Sequence, residues 1–257
     1  MLLRIDWPAN NRVMGTLTLA RHGQASFGAA NYDQLSDRGH LQSERLGAYY
    51  ATQGSPFDVV YHGSLTRHLE TWAGIQRHLK ATALPVHCRP GLNEFDGNAI
   101  VTAYQAAHDL PPVAASDYKA YFRLFRNGLE TWMAAEIEPA GMGTYAKFRT
   151  GVLAVMAEIQ ADHHHKRVLV VTSGGPISTV VGAVLETPDR KTVDINYQIH
   201  NTAVTTFIVT PSAGSDAETV GETRAKGAWP EKVHRPRAAE ETADPIGVRR
   251  RQHWDTR

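Results

Sequence analysis

Short apolar runs alternating with longer segments of helical periodicity constrain this chain more than any other feature. Residues 16–20 (TLTLA), 57–62 (FDVVYH), 84–90 (LPVHCRP), 167–172 (RVLVVT) and 201–210 (NTAVTTFIVT) have the length and β-branched content of strands. Residues 35–54, 65–80, 144–165 and 173–186 read as helices. In the first of these Ser36 or Asp37 is placed to cap and Gly54 to stop. In the last, a Gly-Gly turn leads into Pro176 near the first helical position, where a missing N–H costs nothing. Strand then helix, repeated, predicts an α/β fold: a three-layer α/β/α sandwich with a mostly parallel central sheet.

Residues 98–140 break that rhythm. Tyr118, Phe122, Phe125, Leu129 and Trp132 recur at steps of four and three, the stripe of an amphipathic helix. It is expected to be a helical insertion over one end of the sheet. At 257 residues the chain is long enough for one large domain, placed at 1–211. From 212 to 257 Pro, Gly and charged residues replace any periodic apolar face, so a loosely ordered tail is expected there. A net charge of +1 argues against a nucleic-acid or membrane-surface partner. No run approaches the length of a membrane span, and the first residues lack the pattern of a signal peptide, so the expected location is cytoplasmic. The one cysteine, Cys88, excludes an internal disulfide and reads as a small core residue of its strand. The run His163, His164 and His165 does not suggest a metal, because successive helical residues point about 100° apart.

In an open parallel sheet, ligands sit beyond the carboxyl ends of the strands. After the first strand come Arg21, His22, Gly23 and Gln24; after the second, residues 62–67 with His62 and Arg67; after the third, Glu94; after the fourth, Ser173, Gly174 and Gly175. Two guanidinium forks and a helix start suit a phosphate group. A neutral imidazole among them can attack phosphorus and carry the phosphoryl group. The arginines would stabilise the spreading charge, Glu94 would serve as proton donor and then base, and Gly23 would let the backbone pass beneath the phosphate. Rival carboxylates are Glu44, Glu70 and Asp96, the last equally suited to capping a turn.

At this point the residues resemble the histidine phosphatase superfamily, which includes cofactor-dependent phosphoglycerate mutases. LARHGQAS resembles its Arg-His-Gly signature, and LSDRGHLQSERLG its Leu-Ser/Thr-x-x-Gly-x-x-Gln segment. VVYHGSLTRHLET resembles the segment with the second arginine, normally Tyr-Ser-Ser-Pro-Leu-x-Arg-Ala-x-x-Thr. LNEFD resembles the proton-donor segment, TYAKFRTGVLAVM the Tyr/Phe-x-x-Phe-x-x-Arg helix, and HNTAVT the final strand. The resemblance spans roughly residues 15–210. It implies that His22 is the phospho-accepting nucleophile, that Arg21 and Arg67 bind phosphate with Gln24, Ser173 and Gly174 as further contacts, and that Glu94 is the general acid/base. It also implies no cofactor and no metal.

Ser173 departs from the family, which has a second histidine there. Loss of a charge-assisted hydrogen bond costs about 1.5–3 kcal/mol, on the order of ten- to a hundredfold in rate. His62, or His200 before the final strand, is a conceivable replacement imidazole. Gly63-Ser64 stands where the family has Ser-Pro. The expected activity is hydrolysis of a small phosphorylated substrate, a phosphomonoester. One alternative is a phosphoglycerate mutase, which needs a bisphosphorylated primer and further basic residues, for which the insertion offers Lys119, Arg123 and Arg126. The other is a catalytically weak phospho-ligand binder, motivated by Ser173. A homodimer is compatible with the sequence, which does not fix the assembly.

Overall fold

The computed structural model describes residues 15–26, 33–54, 57–79, 84–113 and 117–209. In chain order the elements are β1 (Gly15–Arg21), α1 (Asp37–Thr52), β2 (Val59–His62), α2 (Thr66–Gln76), β3 (Val86–Cys88), a 3-10 turn (Pro90–Leu92), α3 (Gly97–Ala107), α4 (Tyr118–Met133), α5 (Tyr145–His163), β4 (Arg167–Thr172), α6 (Gly174–Val184), α7 (Asp189–Gln198) and β5 (Val204–Val209). The strand order is β3-β2-β4-β1-β5. Every pairing is parallel except β1 with β5. The fold is the expected α/β sandwich with a mostly parallel sheet. The tail expected from residue 212 lies outside the described residues.

Helices cover both sheet faces, and the period-two alternation of the strands assigns residues to each. Ala20, Val60 and Val171 pack towards α1 and α2, against Tyr50, Trp72 and Ile75. Leu17, Leu19, Val168 and Val170 pack towards α5 and α6, against Val152, Met156 and Ile177. Ser36 caps α1 as expected, its Oγ accepting from Gly39 N–H at 3.2 Å. Gly54 follows the helix at φ +76°, a conformation few L-residues adopt.

A third core joins α3, α4 and α7 around Ile100, Leu129, Trp132 and Val193. Truncating the fully buried Trp132 to Ala would cost about 3–5 kcal/mol. The aromatic stripe of α4 is divided. Leu129 and Trp132 are core, whereas Tyr118 and Phe122 are 53% and 48% exposed. Helices α3 and α7 are absent from the sequence expectations. Cys88 is a correction: it is exposed rather than core. Strand β3 is a three-residue edge strand with one neighbour, and its residues are exposed, half-buried and exposed in turn. No helix among the described residues is long and apolar enough to cross a membrane.

Candidate active site

The carboxyl ends of β1 and β2 and the helix starts beside them open into a cleft of about 770 Å³. Arg21, His22, Gln24, Arg67 and Glu94 all line it. They come from β1, α2 and the loop after the 3-10 turn, so the sheet gathers residues far apart in sequence. The register sets Arg21 opposite Thr172, and His22 N–H donates to Thr172 O at 2.9 Å. Ser173 is therefore the neighbour of His22 on the next strand. Ser173 and Gly174 are buried beneath the cleft and do not line it, nor does His62; His200 is exposed on the surface.

His22 is 4% exposed. Its Nδ1 lies 2.6 Å from Gly23 O. A carbonyl only accepts, so Nδ1 carries the proton and Nε2 keeps a lone pair. Burial, reinforced by the Arg67 and Arg21 guanidiniums, pushes the imidazole down to about 3, so the ring is neutral at physiological pH. The expected use of Gly23 differs in detail. A Cβ there would lie 2.4 Å from Gly39 O, so the missing side chain admits α1 rather than a phosphate. Gly23 N–H donates to Thr71 Oγ1 at 3.0 Å, and Thr71 Oγ1 donates to Arg67 O at 2.6 Å. Thr71 thus couples the His22–Gly23 turn to α2.

Arg67 sits in the first turn of α2, where its charge opposes the helix dipole and calls for an anion. Asp33 supplies one. Arg67 Nη1 donates to Asp33 Oδ1 at 2.6 Å, and Thr66 N–H donates to Asp33 Oδ2 at 2.8 Å. The carboxylate caps a helix whose N-cap, Leu65, offers no side-chain bond. It also braces a guanidinium that is 6% exposed. Arg21 Nη1 donates to Ile199 O.

Burial pushes the Glu94 carboxyl above its usual range; the Gly175 N–H and the two guanidiniums oppose this without cancelling it. Gly175 N–H donates to both carboxyl oxygens, at 3.2 and 3.1 Å. A Cβ on Gly175 would sit 2.0 Å from Glu94 Oε1, so only glycine leaves room for the acid. The rival carboxylates are otherwise employed. Glu44 pairs with Arg77 on the surface. Glu70 accepts from Leu35 N–H. Asp96 caps α3 through the N–H groups of Asn98 and Ala99, although it also borders the cleft.

Away from Arg21 and Arg67 the walls are aromatic and amide: Tyr121, Phe122, Phe125, Tyr197, Asn98 and Asn196. The insertion thus covers the site with Phe122 and Phe125 of its stripe. Lys119 and Arg123 are exposed and outside the lining, and Arg126 pairs with Asp194 and Glu130. Among the described residues of the cleft lining, Arg21 and Arg67 are the sole cations. His163 ends α5 with its Nε2 3.1 Å from Tyr61 Oη.

Two residues escaped the sequence reading, Asp33 and His68. His68 is fully buried on α2, with its Nε2 2.7 Å from Ser173 Oγ and its ring centroid 5.6 Å from that of His22. The available signal was its place directly after Arg67, where the resembled segment has alanine.

The family model for the Histidine phosphatase superfamily (branch 1) matches residues 17–216. A 2,3-bisphosphoglycerate-dependent phosphoglycerate mutase of Methylorubrum populi is 26% identical over 125 residues, 40% of this chain and 59% of that protein. The chain thus matches under two thirds of that relative's length. In three dimensions, a variant of the Entamoeba histolytica phosphoserine phosphatase in complex with phosphoserine aligns at TM-score 0.52 and 19% identity, over 76% of this chain and 91% of that one. A phosphoglycerate mutase of Bacillus anthracis aligns at TM-score 0.51 and 18% identity, over 76% and 88%. With the family match running from β1 to beyond β5, the chain belongs to the histidine phosphatase superfamily, branch 1.

Proposed function

We propose that the protein is a phosphomonoesterase working through a phosphohistidine on His22. The observation that carries the proposal is the His22 ring, neutral, proton on Nδ1, lining a cleft with two arginines. In the first step the Nε2 lone pair forms a P–N bond as the ester P–O bond breaks. The Glu94 carboxyl, whose protonated form burial favours, gives its proton to the leaving oxygen. Arg21 and Arg67 hold the equatorial oxygens. In the second step the Glu94 carboxylate takes a proton from water, the water oxygen bonds to phosphorus, and the P–N bond breaks. Phosphate leaves, and both side chains return to their starting states. Gln24 borders the phosphate end as a further donor.

The cleft favours a phosphatase over a mutase. A mutase substrate carries a carboxylate and its primer a second phosphate, yet both cations among the described lining residues sit at the phosphate end. The remaining walls fit an uncharged, partly apolar leaving group against Tyr121, Phe122 and Phe125. Incubation with a 32P-labelled aryl phosphate should give acid-labile label on the wild-type protein, none on His22→Ala, and release of inorganic phosphate. Transfer to added phosphoglycerate instead of water would favour the mutase. No label and no turnover would leave a phospho-ligand binder and overturn the proposal.

A further inference from the structure

Behind the His22 ring lies a buried imidazole–hydroxyl pair that the reaction above does not use. Ser173 occupies the N-cap of α6, a position where a serine hydroxyl ordinarily accepts from the helix's own N–H groups. Here it makes no such bond. Its Oγ instead lies 2.7 Å from His68 Nε2, and both residues are 0% exposed. The other ring nitrogen, His68 Nδ1, is buried with no hydrogen-bond partner. A forgone cap and an unpaired buried nitrogen both cost stability, and a leucine would fill the same space with neither cost. The backbone is also shaped for this ring. A Cβ on Gly63 would come within 2.3 Å of His68 Nδ1, so the β2–α2 turn is glycine where the imidazole passes.

The pair's neighbour is the nucleophile. The rings of His68 and His22 lie 5.6 Å apart, tilted by 42°. Continuing the strand alternation places His22 and Ser173 side by side on the sheet face that α2 covers. His22 is fixed at Nδ1 by Gly23 O, which leaves rotation about that contact to be limited by whatever packs against the ring. We infer that His68, locked by its hydrogen bond to Ser173, is a positioning residue that walls the buried side of the His22 ring and keeps its Nε2 aimed into the cleft. Neither member reaches the cleft surface, so the pair acts through His22 and not on the phosphate. Misplacing a nucleophile by about 1 Å can cost about a hundredfold in rate while leaving ground-state binding in place.

The inference rests on His22 being the phosphoryl acceptor, and the test separates the two. The variants are His68→Ala, Ser173→Ala and both together. The readouts are the rate of His22 labelling by the aryl phosphate, the Ki of inorganic phosphate, and thermal melting. Each single variant should label ten- to a hundredfold more slowly, while the phosphate Ki, set by the arginines, stays within twofold of wild type. The double variant should be no slower than the slower single one, since the two residues act as a unit. Ser173→Ala removes one oxygen and decides the matter should His68→Ala melt below the assay temperature. Labelling within twofold of wild type in Ser173→Ala, additive losses in the double variant, or a parallel rise in phosphate Ki would each overturn the inference while leaving His22 as nucleophile. A wild-type protein that takes no label would overturn both.

Discussion

A neutral His22 has a measurable consequence for stability. The ring ionises at about 3 in the folded protein and at 6.5 in an unfolded chain. Above pH 6.5 it is neutral in both states and the shift has no effect. As pH falls, the unfolded chain takes up a proton that the folded protein refuses, so stability is lost progressively from pH 6.5 towards about 3. The loss attributable to this group approaches about 1.4 kcal/mol per pH unit, amounts to about 2 kcal/mol at pH 5, and totals about 5 kcal/mol over the whole range. His68 is held well below its usual range in the same sense, mainly by burial, so it steepens the acid limb of both wild type and a His22 variant. His22→Gln isolates the first effect. Urea unfolding at pH 7.5, 6 and 5 should show the variant gaining on wild type by about 2 kcal/mol between the first and last pH. A difference that stays flat within about 0.5 kcal/mol, or a His22 ring resonance titrating near 6.5, would refute the reasoning.

Three further outcomes follow from the cleft. Glu94→Gln should lower kcat/KM, which reports the first phosphoryl transfer, by on the order of a hundredfold or more for alkyl phosphates and far less for p-nitrophenyl phosphate, whose leaving group needs no proton; equal losses of kcat/KM on both would remove Glu94 from the acid role. Arg67→Lys, which trades a fork for a point charge beside Asp33, should cost about ten- to a hundredfold in kcat/KM, with Asp33→Asn producing a smaller loss in the same direction. Phe125→Ala should raise KM for aryl phosphates more than for small alkyl phosphates, because the ring lines the outer cleft; an unchanged ratio of the two KM values would move the leaving group elsewhere.

The layout of the sheet and the position of the principal side chains were legible because they follow from local pattern. Alternation over residues 16–20 and the unbroken apolar run within 167–172 placed β1 and β4, and the rule that ligands gather beyond strand ends then pointed to Arg21, His22 and Arg67. Cys88 misled because the run around it has the composition of a core strand, whereas β3 is an edge whose faces are open. Helix α7 was missed because Asp189, Arg190, Lys191 and Asp194 dilute its apolar positions to the buried Val193 and the half-buried Ile195 and Tyr197. His68 was illegible for a different reason. Its partner lies 105 positions away, and contact depends on how α2 rotates against the sheet, which no local periodicity encodes. Asp33 is hidden in the same way: a loop carboxylate whose role depends on reaching Arg67 and the first turn of α2.

The stereochemical course at phosphorus tests the central claim most directly. Each in-line displacement inverts the phosphorus centre, so transfer to His22 followed by transfer to an acceptor oxygen gives two inversions. With a phosphomonoester made chiral by oxygen isotopes and an alcohol as acceptor, the account predicts net retention. Net inversion would show that the phosphoryl group passes to the acceptor in one step, with His22 never bonded to it.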